Sequence, residues 1–330
     1  MNQVAKIANA TLPQAPVPAT YPPNNTANPP VSVVSGRLIL YNPFNSFNIF
    51  CLHCVLDELT LIYQKRYNGM MITSLSNAKV KYVRRLQTDR RFRNRENQYV
   101  VEGSRWLTEL VTMARPAEML FVTERWLETA VHAQILQQLT TLGQSSPIPV
   151  SEEVMQAMSD TTTPAGVLAV LPMQPRPLPD HPSLLLILDE ISTPGNLGTM
   201  LRTAGAAGAD GVLLGPGCVD LYNPKVVRGG MGAHLRLPVH NQTWPEIAAT
   251  VQGMQVWLAT IEAETAYTAV NWQQPSALII GSEAAGAGED ARRIASGGIA
   301  IPMHAATESL NAAMAAGIIL FEAARQRKVL

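Results

Sequence analysis

The sequence predicts an α/β protein with two globular domains, and three observations lead to this fold class. First, the chain has 330 residues, 47% of them hydrophobic, and domains usually contain about 100–200 residues. Second, apolar runs of strand length alternate with amphipathic helical patterns from Ile72 onward, which is typical of α/β folds. Third, five prolines within residues 172–182 interrupt the alternation. Such a stretch forms a semi-rigid spacer, so we place a domain boundary there.

Residues 1–70 differ from the rest of the chain. The segment from Pro13 to Pro30 is rich in Pro, Asn, Ala and Thr, and this composition cannot bury enough apolar surface to offset chain entropy. The segment from Leu38 to Tyr63 is more apolar but has no clean period. One interpretation is a disordered extension with a short helix around residues 54–63. The other, which we favour, is a misassigned reading frame with the natural start at Met70 or Met71.

Residues 71–171 are predicted to form a small α/β domain. A helix is expected over Asn77 to Leu86, because Val80, Val83 and Leu86 fall on one side of it. A second helix follows Gly103, where apolar residues recur at helical spacing. The other predicted helices cover residues 125–141 and 152–158, and the predicted strands cover residues 99–101, 119–123, 148–150 and 166–171.

Residues 183–330 are predicted to form the second domain, around a parallel sheet. Leu184 to Leu188 is a continuous apolar run, as expected for a parallel strand that is covered on both faces. Further strands are predicted over residues 211–214, 255–261, 277–281 and 299–301, and helices over residues 197–207, 244–252, 290–295 and 309–326. Ligands bind at strand ends in such folds, so we expect a site there.

Composition limits the classes of function. The formal net charge is zero, so binding to a polyanion requires a local basic patch. No apolar run approaches the ~20 residues of a membrane span, and no signal peptide opens the chain. We therefore expect a soluble, cytoplasmic protein without a membrane partner.

The cysteines do not predict a disulfide framework or a metal site. The chain has three, Cys51, Cys54 and Cys218, which are too few for such a framework. Cys51 and Cys54 have the spacing of a metal pair, but a tetrahedral zinc site needs two further ligands and no second pair follows. We predict no metal.

Three short segments of the second domain carry the strongest functional signal. They are Pro194 to Thr203, Ile279 to Gly286, and Ile301-Pro302-Met303 followed by Glu308 to Ala315. In order and spacing they resemble the signature motifs of the SpoU/TrmH family of RNA ribose 2′-O-methyltransferases, within the SPOUT superfamily. The resemblance implies S-adenosylmethionine as cofactor, RNA as substrate and a homodimer with active sites near the interface. It also implies a deep trefoil knot through which the C-terminal segment threads, which breaks the usual rule against knotted chains.

The resemblance implies a catalytic cluster, whose positions here are Asn196, Arg202, Glu283, Ser309 and Asn311. A guanidinium has a pKa above ~12 and is a poor base. We therefore interpret Arg202 as a clamp on an RNA phosphate that also stabilises an emerging alkoxide. Ser309 and Asn311 could equally be ordinary helix caps, since both residue types satisfy free amide groups at helix starts.

The resemblance also implies cofactor contacts. Gly281 has no Cβ, so backbone could approach a ligand closely, while Ile301 and Leu310 could flank an adenine. The full set of expected cofactor-binding residues is Thr260, Ile280, Gly281, Ile301, Met303 and Leu310. For any one residue alone, a turn or a core position explains it as well.

The first domain resembles the substrate-binding domain that many SpoU-like enzymes carry, which is similar to ribosomal protein L30e. The resemblance lies in Ser74 to Asn77 and in Tyr99 to Gly103. A basic cluster interleaved with Tyr82 and Phe92 is a plausible grip on RNA phosphates and unstacked bases, although it could be a solvated helix face. The residues expected to bind RNA are Lys79, Lys81, Arg84, Arg90, Arg91, Arg93, Lys225 and Arg228.

One position departs from the family pattern, and two other functions compete. Gly230 stands where relatives commonly have serine, so a hydroxyl contact to substrate is in doubt, while glycine keeps the loop able to adopt strained dihedrals. A noncatalytic RNA-binding protein would be favoured by loss of the motif residues, which are all present. An oxidoreductase is disfavoured because no GxGxxG follows the first strand of the second domain. The two-domain layout is similar to enzymes that act on large-subunit ribosomal RNA, with transfer RNA as the alternative.

Overall fold

A computed structural model describes residues 31–34, 37–40, 71–283, 285–304 and 309–328. The chain divides into two compact units, Met1–Asp57 and Glu58–Leu330. In the first unit, β1 (Val31–Val34) pairs with β2 (Arg37–Leu40) in antiparallel fashion. The prediction of a disordered or misassigned extension over residues 1–70 did not include this pair. The helix expected around residues 54–63 lies outside the described residues.

The second unit begins with the predicted small α/β domain. Its sheet has the order β3 (Gln98–Glu102), β6 (Val167–Pro172), β4 (Met119–Val122), β5 (Ile148–Pro149). The β3/β6 and β6/β4 pairs are antiparallel, whereas β4 and β5 are parallel. The helices are α1 (Ala78–Thr88), α2 (Arg90–Glu96), α3 (Ser104–Thr112), α4 (Glu124–Leu127), α5 (Ala130–Thr141) and α6 (Glu152–Met158).

Local sequence explains these helices. The side chain of Asn77 accepts a hydrogen bond from the backbone of Lys79 and so caps α1, and the predicted apolar side of α1 is fully buried. The single helix expected over residues 125–141 is wrong, because it is broken between α4 and α5. Thr129 has extended backbone dihedrals there and starts a new helix.

The second domain is a six-stranded parallel sheet with helices on its faces. The strands are β7 (Leu184–Leu188), β8 (Gly211–Leu214), β9 (Val239–Asn241), β10 (Gln255–Ala259), β11 (Ser276–Ile280) and β12 (Gly297–Ile299), in the order β12-β10-β11-β7-β8-β9. Every pair is parallel. β7, the predicted apolar run, lies inside the sheet and all its residues are buried, as a strand covered on both faces requires.

The helices of this domain are α7 (Pro194–Ala206), α8 (Pro224–Gly230), α9 (Ala233–Arg236), α10 (Trp244–Thr250), α11 (Glu289–Ile294) and α12 (Ala312–Gln326). The sequence analysis did not predict α2, α8, α9 or β9. The cap of α8 was visible in the sequence, since Asn223 precedes Pro224 at the first helical position. The strand expected over 299–301 ends at Ile299.

The two α/β domains share a buried interface. The ring centroid of Tyr99, on β3, lies 4.7 Å from that of Tyr222 in the second domain. Arg93 Nη2 lies 2.5 Å from Asp220 Oδ2, and both side chains are nearly buried. Besides the covalent connection through residues 172–182, these direct contacts therefore fix the first domain against the second.

The α/β fold class with a parallel sheet and a smaller first domain is confirmed, while the trefoil knot stays a prediction. In the part of the chain that the structure describes, no helix is long and apolar enough to cross a membrane. Within those same residues, no group of three His, Cys, Asp or Glu is arranged to hold a metal ion.

Candidate active site at the carboxyl end of the parallel sheet

A cavity of about 740 Å³ opens at the carboxyl ends of β10 and β11. This volume lies within the usual range of small-molecule sites, roughly 300–1,000 Å³. Its walls are the ends of both strands, loop 281–288, of which residues 281–283 and 285–288 are described, residues 301–303 after β12 and the start of α12. All six residues expected to bind the cofactor line it, namely Thr260, Ile280, Gly281, Ile301, Met303 and Leu310. The structure therefore brings that set together at one site.

Three polar side chains, one from each signature motif, form a chain of hydrogen bonds along this cavity. Asn196 Nδ2 donates to Glu283 Oε1 at 2.9 Å, and Asn311 Nδ2 donates to Asn196 Oδ1 at 3.0 Å. Asn311 Oδ1 accepts from the backbone N–H groups of Ala313 and Met314. Asn311 is thus both the cap of α12 and a partner of Asn196. We call these three side chains the motif relay.

Glu283 is held in its anionic form. Partial burial raises its pKa, but hydrogen bonds from Asn196, from its own backbone amide and from Thr193 and Ser192 outweigh that effect, so the pKa lies below its ordinary value. A negative charge therefore stands at the wall of the cavity at neutral pH.

Arg202 and Ser309 are placed differently. Ser309 lines the cavity, and α12 begins at Ala312 with Asn311 as its cap. Arg202 lies on the exposed side of α7 and is not among the residues that line the cavity. Among the residues that the structure describes, none forms a hydrogen bond or ion pair with its guanidinium, so Arg202 is not joined to the motif relay within one chain.

Gly281 lines the cavity, but the packing of the loop against it is enough to require a residue without a side chain at this position. A Cβ at Gly281 would lie 2.4 Å from the backbone N of Ala287 and 2.5 Å from the carbonyl carbon of Gly286. The loop folds back because Ser282 N donates to the Gly286 carbonyl at 2.8 Å and Gly286 N to the Ser282 carbonyl at 3.0 Å. Close packing of loop 281–288 requires Gly281, in agreement with the turn that was the alternative for this glycine, and its contact with a ligand stays a prediction.

The basic cluster of the first domain is partly exposed. Of the six first-domain residues expected to bind RNA, five are exposed, namely Lys79, Lys81, Arg84, Arg90 and Arg91. The predicted RNA contact of Arg93 is wrong, because Arg93 is 3% exposed and its guanidinium donates to the Leu86 carbonyl and to Asp220. Phe92 is buried beneath Arg85, whose Cζ lies 4.3 Å from the ring centroid, so it cannot stack on a base.

In the second domain, Lys225 is exposed at the start of α8. Arg228 is also exposed, but its Nη1 lies 2.6 Å from Asp160 Oδ2 of the first domain. The pairing with Asp160 gives Arg228 a place in the contact between the domains, which the sequence analysis did not anticipate.

Gly230 is helical and does not use the backbone freedom that glycine offers. It ends α8 with no left-handed dihedrals, and a Cβ there would lie 2.9 Å from His234 Cε1. His234 is buried, its Nε2 lies 2.9 Å from the Leu221 carbonyl, and burial lowers its pKa to about 4. The His234 ring thus occupies the space that a serine side chain would need.

Comparisons with known proteins place the chain in a family. Residues 183–321 match the model of the SpoU rRNA methylase family, and residues 77–169 match that of the MRM3-like substrate binding domain. An uncharacterized tRNA/rRNA methyltransferase of Synechocystis is 34% identical over 261 residues, which cover 78% of this chain and 94% of that protein. The 23S rRNA (guanosine(2553)-2′-O)-methyltransferase RlmP of Bacillus subtilis is 31% identical over 259 residues, which cover 76% of this chain and 97% of that protein.

A solved structure supports the same conclusion. The AdoMet-bound rRNA methyltransferase from Sinorhizobium meliloti has 26% sequence identity and a TM-score of 0.68, and the match covers 77% of this chain and 97% of that one. Sequence motifs, fold and relatives agree. The chain therefore belongs to the SpoU rRNA methylase family, and it is an RNA methyltransferase as its motifs predict.

Proposed function

We propose that this protein transfers a methyl group from S-adenosylmethionine to a ribose 2′-hydroxyl of ribosomal RNA, in the large subunit, and that it does so in the cytoplasm. The observation that carries the proposal is the motif relay at the wall of the cavity. The relative from Bacillus subtilis, which methylates a ribose of 23S rRNA according to its name, supports the choice of substrate.

The residues of the cavity fit S-adenosylmethionine. Leu310 is 38% exposed although it is large and apolar, and it faces the cavity together with Ile301 and Met303, which suits an aromatic base. The anionic Glu283 suits a ligand that carries a sulfonium cation. When bound, the cofactor supplies a methyl group that is already electrophilic. The chain's residues then have to position the hydroxyl and exclude water.

The motif relay orients the hydroxyl. Because Asn196 Oδ1 accepts from Asn311 and Asn196 Nδ2 donates to Glu283, the orientation of its amide is fixed. Glu283 Oε2 lies 3.5 Å from Ser192 Oγ, and in this proposal the same oxygen also accepts the hydrogen bond of a ribose hydroxyl. The lowered pKa makes Glu283 a weak base, and its role is therefore to orient the hydroxyl.

RNA binds to the exposed cations of the first domain in this proposal. Lys79, Lys81, Arg84, Arg90 and Arg91 are exposed on or beside consecutive helices, and exposed cations of this kind neutralise phosphates. Lys225 on α8 adds a cation from the second domain. The buried interface between the domains holds this surface at a fixed position relative to the cavity.

We propose a homodimer formed through α12. Met314 and Phe321, seven residues apart on one side of this helix, are 58% and 40% exposed, and a large apolar exposed face favours a protein partner. The neighbouring α7 carries Arg202, which lies outside the cavity of its own chain. We place Arg202 beside the dimer interface, where it clamps an RNA phosphate next to the reacting ribose.

The test is methyl transfer in vitro. Purified protein is incubated with S-adenosylmethionine that carries a labelled methyl group and with either ribosomal or transfer RNA, and nucleosides are identified by mass spectrometry. We expect one 2′-O-methylnucleoside from ribosomal RNA. If only transfer RNA is methylated, transfer RNA is the substrate in place of ribosomal RNA. If a base is methylated, the proposed transfer to a ribose hydroxyl is wrong. Binding of RNA without methyl transfer would favour a noncatalytic RNA-binding protein.

A further inference from the structure

Asp189 is a buried carboxylate at the end of the central strand β7, and the motif relay does not use it. The residue is 2% exposed. Its backbone N–H donates to the carbonyl of Ile280 at 3.0 Å, which extends the pairing of β7 with β11. Asp189 is therefore fixed against the strand from which loop 281–288 departs.

The carboxylate of Asp189 holds the far end of that loop. Its Oδ2 accepts a hydrogen bond from the backbone N–H of Gly288 at 2.7 Å. On the other side, Arg292 Nε donates to the carbonyl of Ala287 at 3.0 Å. The loop is thus tied to Asp189 through Gly288 and to α11 through Ala287, and Ala287 and its neighbour Gly286 line the cavity.

Placing a carboxylate at this position costs stability. The pKa of Asp189 is raised, chiefly because the side chain is buried and also because the carboxylates of Glu190 and Asp290 are near. The hydrogen bond from Gly288 lowers the pKa and offsets part of this effect. A buried carboxylate is unfavourable unless its hydrogen bonds compensate. The hydrogen bond to Gly288 is such a compensation, and it acts on the wall of the cavity.

The same strand offers a comparison at its opposite end. Asp210 Oδ2 accepts hydrogen bonds from Ser183 N, Ser183 Oγ and Leu184 N, at 2.6, 2.9 and 2.9 Å. These bonds fix the start of β7, far from the carboxyl ends of the strands where the cavity opens. Asp210 thus has the same chemistry as Asp189 without a contact to loop 281–288.

We propose that Asp189 is a positioning residue for cofactor binding, whose carboxylate holds loop 281–288 in the conformation that receives S-adenosylmethionine. This inference rests on the proposed cofactor site. Loss of the hydrogen bond to Gly288 loosens a wall of the cavity, so the effect falls on cofactor affinity.

The test measures the Kd of S-adenosylmethionine by calorimetry in paired variants. Asp189→Ala should raise the Kd about 10-fold or more, as expected for loss of a hydrogen bond to a charged group, and raise KM for the cofactor more than it lowers kcat. Asp189→Asn should keep most of the affinity, since its amide oxygen still accepts from Gly288. Asp210→Ala should lower the melting temperature with the Kd unchanged.

A second pair removes the donor in place of the acceptor. Gly288 has φ −70°, which proline adopts, and Gly288→Pro replaces the N–H with a Cδ that cannot donate to Asp189 Oδ2 and displaces it. Gly288→Ala keeps the N–H, and its Cβ would lie 3.4 Å from Asp189 Oδ2, an ordinary contact. We expect a raised Kd for Gly288→Pro and a nearly wild-type Kd for Gly288→Ala.

Wild-type Kd values in Asp189→Ala or in Gly288→Pro would overturn the role of Asp189, as would an equal loss in Asp210→Ala. Leu310→Arg separates this failure from a wrong cofactor site, because it places a positive charge in the cavity at a half-exposed position. If Leu310→Arg also binds S-adenosylmethionine normally, the proposed site itself is wrong.

Discussion

At the residue scale, the central observation is that the amide of Asn196 has a fixed orientation. It accepts from Asn311 and donates to Glu283, so it transmits the position of the α12 cap to the carboxylate at the cavity wall. Removing one member should disorder the other two, because hydrogen-bonded side chains of this kind act together.

Asn196→Ala should lower the single-turnover rate about 100-fold or more, as loss of a positioned group at an active site does. Cofactor affinity should change little, since the apolar walls of the cavity remain. Rapid-quench measurement of methyl transfer checks the rate, and calorimetry checks the affinity. Thr199→Ala, on the same helix, is the control, because its hydroxyl donates only to the Gly195 carbonyl. A normal rate in Asn196→Ala would remove the motif relay from catalysis.

His234 predicts a pH dependence of stability. Its pKa falls from 6.5 in a model compound to about 4 because the ring is buried. The folded protein therefore binds fewer protons than the unfolded chain between these values, and stability is full above about pH 6.5 and falls toward pH 4. Urea denaturation from pH 7 to pH 4.5 should show this loss, and His234→Gln should reduce the slope. The exposed His181, replaced by Gln, is the control, and an unchanged slope in His234→Gln would contradict the account.

Much of the site could be predicted at this scale, and the failures have a common cause. The six residues expected to bind the cofactor line one cavity, because the family motifs that predict them fall at strand ends and near the start of α12. Arg93 was misassigned because its partner Asp220 lies 127 positions away in sequence, and no local pattern reveals an ion pair of that separation. Asp189 was not predicted for the same reason, because Gly288, whose N–H it accepts from, lies 99 positions away in sequence.

At the scale of elements, loop 281–288 is the part of the molecule that a single methyl group should damage most. Gly281→Ala places a Cβ within 2.4 Å of the Ala287 backbone, and backbone cannot move aside cheaply. We expect loss of S-adenosylmethionine binding in calorimetry with circular dichroism unchanged. Gly205→Ala is the matched control, because nothing lies within 4 Å of its Cβ and alanine favours a helix. Normal binding by Gly281→Ala would show that the cofactor site lies elsewhere.

A strand with a continuous apolar run was predicted well, whereas a helix of four residues was missed. β7 was predicted with its correct limits because five consecutive buried residues leave a clear run. The four residues of α9 (Ala233–Arg236) leave almost no period to detect. The start of α12 was predicted three residues early, because Ser309 and Asn311 are both common caps and only Asn311 is used.

At the scale of the whole molecule, a buried ion pair fixes one domain against the other. Arg93→Met should lower the free energy of unfolding by about 3–5 kcal/mol, because Asp220 would be left buried without its partner. Arg91→Met, two positions away and exposed, should keep stability and weaken RNA binding with a smaller salt dependence. Denaturant titration and filter binding separate the two effects. Equal stability of both variants would contradict the interface described here.

The two separate sheets of residues 71–328 agree with the sequence pattern, and the contact between the two α/β domains could not be predicted from it. The prolines of residues 172–182 mark a boundary in the sequence, but they give no sign of the contacts that cross it. Those contacts join residues far apart in the chain, such as Tyr99 with Tyr222 and Arg228 with Asp160.

The most direct test of the central claim is a transcriptome-wide map of ribose 2′-O-methylation. RNA would be compared from cells with the gene, cells without it, and cells complemented with either the wild type or Asn196→Ala. The account predicts that one methylated ribose of large-subunit ribosomal RNA disappears without the gene, returns with the wild type and does not return with Asn196→Ala. An unchanged map without the gene, or full restoration by Asn196→Ala, would contradict it.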